Sequence, residues 1–183
     1  MAEFTIDVSK LAPQQHSLSS INTIKNLDSN QWQARHNTIH TSATSNWYRV
    51  ELAQTSLKEP TFLKFNNSTL DKLSYWVYAQ DSLIAQGEFG DLLPFNDRPK
   101  LAQSFVLPIE RHDSVLVVYL NTSSQFVGFS KVQHLSQNEL DRSESKQATY
   151  KALFYGFMLA MALSNLLLYV TTRSRDFLLY VGY

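Results

Sequence analysis

The sequence predicts a mainly β protein, an antiparallel sandwich or barrel, followed by a helical stalk and a transmembrane α-helix. Three observations carry this. Short alternating segments rich in aromatic and β-branched residues recur from Trp47 to Val132, with polar turn residues between them. Residues 136–151 are polar on every side. Residues Ala152 to Val170 (ALFYGFMLAMALSNLLLYV) are uncharged and mostly apolar. As a helix this run reaches about 28 Å, close to the roughly 30 Å hydrocarbon thickness of a bilayer.

The elements follow in order. Phe4, Ile6 and Val8 alternate and suggest one strand. The stretch from Gln14 to Asn46 is rich in Ser, Thr, Asn and Gln and reads as loops, with room for strands around Trp32 and Ile39. From Asn46 the pattern sharpens: Tyr48, Val50 and Leu52 point one way, Arg49 and Glu51 the other. Further strands are expected at Thr61–Phe65, Leu73–Ala79, Leu83–Ala85 as a hairpin partner, Ser104–Ile109, Val115–Leu120 and Phe126–Val132. Val115–Leu120 is apolar on both faces, the mark of a central strand covered on both sides. Pro108 places its strand at an edge or near its end. Ser136 and Glu139 have the spacing of a capping box and open the stalk.

Composition excludes several functions. The 183 residues carry 16 basic and 16 acidic side chains, with no basic face or arginine-rich arm for nucleic acid. The absence of cysteine rules out disulfides, thiolate metal sites and a cysteine nucleophile. The start, MAEFTIDVSK, lacks the basic and apolar regions of a secretory signal. After Val170 a short turn leads into FLLYVGY, which reads as the beginning of a second apolar run. A fragment of a longer membrane protein is the expectation.

Within the membrane helix, Ala152, Gly156, Ala160 and Ser164 recur every four residues, a spacing that lets another helix backbone approach closely. Asn165 adds an amide that is costly in lipid without a partner. These five residues predict one helix of a bundle rather than a lone anchor. The charges flanking the helix do not decide its orientation.

The loop from Gly87 to Pro99 (GEFGDLLPFNDRP) holds Gly90, Pro94 and Pro99, which set backbone shape. Its Asp91, Asp97 and Arg98 can bind a polar ligand or pair with one another, and an internal ion pair is the commoner outcome. Trp47, Tyr75, Trp76 and Tyr78 are candidates to stack on sugar rings, with core packing as the ordinary alternative. Asp91, Arg98 and Trp47 are the residues expected to face a ligand. His36 and His40 are four apart but lie in sequence that is not convincingly helical, so no metal site is expected. No catalytic arrangement and no cofactor-binding motif is assembled from sequence order.

The segments NWYRVEL (46–52), LSYWVY (73–78), GEFGDLLPFNDRP (87–99), SFVLPI (104–109) and residues 150–183 together resemble the bacterial seven-transmembrane receptors with diverse intracellular signalling modules. The first four resemble their second type of extracellular domain. The last resembles the start of their membrane region, with an FYG-like opening, a short basic turn and a YLLY-like second helix. The resemblance implies a jelly-roll sandwich, compared in that family with carbohydrate-binding modules, outside the bacterial inner membrane. It also implies signalling through seven helices to an enzymatic output module, which this chain does not contain.

The resulting division is a periplasmic sandwich sensor (1–135), a stalk (136–151), a first transmembrane helix (152–170), and a turn with the start of a second helix (171–183). The expected partners are a small-molecule or carbohydrate ligand, the lipid bilayer and other transmembrane helices of the same receptor, with no nucleic acid. The expected mechanism is binding and not catalysis. The rivals are a membrane-tethered carbohydrate-binding or adhesion module without signalling and a glycan-cleaving fragment.

Overall fold

Alternation sets the facing of every strand, and the strands sort into two sheets. The computed structural model describes residues 6–11, 20–52, 60–66, 70–98, 100, 102, 104–110 and 114–173. These contain ten strands: β1 (Ile6–Leu11), β2 (Trp32–Arg35), β3 (Thr38–Thr41), β4 (Asn46–Leu52), β5 (Thr61–Phe65), β6 (Lys72–Ala79), β7 (Ser82–Phe89), β8 (Phe105–Ile109), β9 (Leu116–Ser123) and β10 (Gly128–Ser136). The six-stranded sheet has the order β2-β1-β4-β9-β6-β7, the four-stranded sheet β3-β10-β5-β8. Every pairing between them is antiparallel.

Between the sheets lies the main core. Val50 and Leu52 of β4, Leu63 and Phe65 of β5, and Leu116, Val118 and Leu120 of β9 all point into it. The outer face of the six-stranded sheet carries a second core of Leu11, Ile24, Trp47, Tyr78 and Tyr119, with Ile21, Leu27, Trp32, Trp76 and Val117 packed against it. Short helix α1 (Ile21–Lys25) supplies Ile24 to this cover. The central strand expected at Val115–Leu120 is therefore found: β9 lies between β4 and β6 and buries both of its faces. Pro108 sits on β8, an edge strand, where its missing N–H breaks no ladder.

Several boundaries differ from expectation by more than a residue of fraying, these three among them. The hairpin partner of β6 runs from Ser82 to Phe89, so Gly87–Phe89 belong to a strand and not to the loop. Gly87 permits this. It faces Tyr75, and a Cβ there would lie 2.7 Å from the Tyr75 hydroxyl. The last strand starts at Gly128 rather than Phe126. Side chains hold the preceding turn instead: the Gln125 N–H donates to Asp71 Oδ2 (2.6 Å) and Thr41 Oγ1 donates to the Phe126 carbonyl (3.3 Å). Third, the segment from Ile21 to Gln31, expected as loop, forms α1 and a 3₁₀ turn.

Tyr48 shows how the core protects an edge. The His40 N–H donates to the Tyr48 hydroxyl (2.7 Å), which donates back to the His40 carbonyl (2.7 Å). His40 lies on β3, the edge of the four-stranded sheet, so one phenol satisfies two edge backbone groups. Burial pushes the Tyr48 pKa up to about 12, partly offset by the bond to His40. Its contribution to stability is thus fully present below pH 10, the unperturbed value, and is lost as pH rises through about 12. Tyr48→Phe is expected to cost about 1–2 kcal/mol at neutral pH by leaving the His40 N–H without its partner, while the His40 carbonyl keeps the Thr122 hydroxyl at 3.4 Å. The alkaline fall in stability above pH 10 becomes shallower but persists, because burial also raises Tyr75 and Tyr119. Urea unfolding across that pH range, followed by tryptophan fluorescence, checks both.

The chain divides into two compact units, Met1–Asn138 and Glu139–Tyr183. The second unit is built on helix α2 (Gln137–Thr172), 36 residues without a break, so stalk and membrane run are one helix. Glu139 lies in its first turn. It ends at Arg173, whose N–H donates to the Tyr169 carbonyl (2.7 Å) and whose φ of 54° is left-handed. The expected turn at Thr171 thus begins two residues later; residues 174–183 lie outside the described residues.

Candidate functional site: a cleft between two sheet edges

β7 ends the six-stranded sheet and β8 ends the four-stranded sheet. Between them lies a cleft of about 210 Å³. Ala85 of β7, opposite Val77 of β6, lines it. Tyr75, Val77 and Leu116 line it from the six-stranded sheet, and Leu107, Pro108 and Ile109 from β8. Ile84 and Glu110 complete the lining, and both are exposed. Tyr75 is buried, and burial raises the pKa of its hydroxyl, so it is a neutral donor at physiological pH. The cleft is apolar with two polar side chains, Tyr75 and Glu110, the usual composition of a small-molecule site.

A line of ring contacts leads away from it. Tyr75 meets Phe89 at 5.8 Å, Phe89 meets Phe105 at 5.3 Å, and the Arg98 guanidinium lies 4.5 Å over Phe105. Arg98 is also 4.7 Å over Phe95, and its Nη1 donates to the Ala102 carbonyl (3.3 Å). The structure brings Asp91 and Arg98 together, 4.0 Å apart, but the Asp91 carboxylate is 63% exposed and the pair is worth little. Cation–π contact and the Ala102 bond hold Arg98. The loop itself is pinned by backbone bonds from Asp91 N–H to Leu70 (2.7 Å) and from Leu92 N–H to Asp71 (3.3 Å). Asp97 lies in the 3₁₀ turn Phe95–Asp97, and Pro99 lies outside the described residues.

Trp47 requires a correction. It is 1% exposed and stacks on Trp76 at 5.3 Å in the second core. Alternation turned it to the outer face, as expected, but α1 and its neighbours cover that face. It offers no surface to a ligand. Tyr78 is buried in the same cluster, and Tyr75 lies on the opposite face from Trp76, as alternation requires. His40 lies on strand β3 and His36 in the preceding turn, so the two do not share a helical face. Among the described residues, no three His, Cys, Asp or Glu side chains gather as a metal site.

On α2, the Ser164 hydroxyl donates to the Ala160 carbonyl (2.9 Å), satisfying it within the helix. A Cβ added at Gly156 would meet open space. Ala152, Gly156, Ala160, Ser164 and Asn165 all lie within this one helix, long and apolar enough to cross a membrane.

The site residues that the sequence reading missed are those of the cleft: Ile84, Ala85, Pro108 and Glu110. The available signal was the alternation of small residues in SLIAQGEF opposite an aromatic strand.

A β-sandwich with an open edge cleft, continuing into a helix that can cross a membrane, defines a membrane-anchored domain. Residues 7–128 match the family model described as 7TMR-DISM extracellular 2. Residues 147–183 match the one described as 7TM diverse intracellular signalling. The first match alone covers about two thirds of the chain, and the chain belongs to the 7TMR-DISM receptor family. Its sandwich is the extracellular sensory domain, and its long helix opens the membrane region. No curated protein matches the chain.

Proposed function

We propose that this domain senses a small ligand bound in the β7–β8 cleft, on the periplasmic side of a bacterial inner membrane. The observation that carries this is the cleft itself, an apolar cavity walled by residues of β6, β7, β8 and β9. Recognition, not catalysis, is the reading. Glycan cleavage requires two apposed carboxylates, and one, Glu110, lines the cleft. The ligand acts on the receptor only to the extent that it binds two states of the domain with different affinity. The small residues Ala152, Gly156, Ala160 and Ser164, with Asn165, then seat the first helix against others of the receptor bundle. Saccharides are a second ligand reading, favoured by the Tyr75 ring in the cleft wall.

The test uses the full chain in detergent micelles. Ala85 is exposed at the cleft, so Ala85→Leu is expected to fill it and leave folding intact. A ligand at 100 times its Kd stabilises by about 2.7 kcal/mol, a rise of several degrees in Tm. That rise should appear in the parent protein for a bound member of a sugar and small-molecule panel and vanish in Ala85→Leu. An equal rise in both would place the site elsewhere.

A further inference from the structure

We propose that the ligand of this cleft is a compact organic cation, a hydrocarbon body carrying one ammonium or guanidinium group. The inference rests on the reading of the cleft as the ligand site. The walls supplied by β6, β7, β8 and β9 are hydrocarbon except at Tyr75 and Glu110. Among the described residues, Glu110 is the one acidic side chain that lines the cleft, and it makes no ion pair with a described residue. A polyol would strip water from several hydroxyls and find two side-chain partners. An anion would meet the Glu110 carboxylate unfavourably. A neutral hydrocarbon would gain from the walls but leave the charge unused. A cation with an apolar body uses the walls and Glu110 together. The volume of about 210 Å³ restricts the body to roughly one ring or a short chain.

The experiment is a calorimetric titration of the full chain in detergent micelles with cyclohexylammonium, cyclohexanol and glucose. Cyclohexylammonium is expected to bind most tightly and to weaken as salt is raised. Glu110→Gln is expected to weaken it about fivefold, the worth of one charge at an exposed site, and to leave cyclohexanol unchanged. Glu110 is on the surface, and an unchanged melting transition verifies that the variant folds. Cyclohexanol or glucose binding as tightly as the cation, or a Glu110→Gln variant with unaltered cation affinity, overturns the inference and leaves the cleft as the ligand site. Silence from all three probes overturns the ligand-site reading and the inference with it.

Discussion

Trp47→Ala is expected to destabilise the sandwich by about 3–5 kcal/mol while leaving the affinity of the β7–β8 cleft unchanged. Trp47 is buried on the outer face of the six-stranded sheet, stacked on Trp76 and clustered with Leu11, Ile24, Tyr78 and Tyr119. Removing the indole leaves a cavity under α1, a helix of five residues. Such a short helix has no stability of its own and holds its place through packing. The loss should therefore spread to α1 and the 3₁₀ turn that follows. It should not reach the cleft, whose residues are not in this cluster. Urea unfolding together with ligand titration separates the two effects. A large loss of affinity with little loss of stability would return Trp47 to the ligand-facing role that its sequence context suggests.

Gly90→Ala is expected to cost about 2–4 kcal/mol through overpacking and lost hydrogen bonds. An added Cβ would overlap the Asp71 carbonyl oxygen and stand 2.7 Å from its carbon and 2.9 Å from the Lys72 Cα. All three are backbone atoms, so no side chain can swing aside. The segments must part, and with them go the bonds from Asp91 N–H to Leu70 and from Leu92 N–H to Asp71. Asp71 also accepts from Gln125 N–H, so the turn before β10 loosens too. Thermal unfolding of the full chain, with backbone amide exchange at Asp91, Leu92 and Gln125, reports the damage.

Strand alternation made most of the sandwich readable. The pattern of NWYRVEL assigned the faces of β4 correctly, and the two-sided apolarity of VLVVYL placed β9 at the centre of its sheet. Pro108 marked an edge because proline cannot donate to a ladder. What alternation cannot say is whether an outer face is covered. That depends on Ile21, Ile24 and Leu27, three apolar residues in a polar segment, too few to announce a helix before the sheet they cover is known. Trp47 was misassigned for this reason. The cleft was hidden by a different limit. Its walls come from four strands in two sheets. Such a meeting of strands is a property of the whole sandwich and not of any one segment. Asp91 and Arg98 were readable as a pair, but not the two phenylalanines that hold the guanidinium.

The most direct measurement of the central claim, that the open edge between β7 and β8 receives the ligand, exploits the absence of cysteine from the chain. Ala85→Cys puts one thiol at the cleft, and Gln86→Cys puts one on the opposite face of the same exposed strand. In the full chain in detergent, a saturating concentration of whichever of cyclohexylammonium, cyclohexanol and glucose binds should slow maleimide alkylation at position 85 and leave position 86 unaffected. Equal rates at position 85 with and without that bound probe, or protection at position 86 alone, would contradict it.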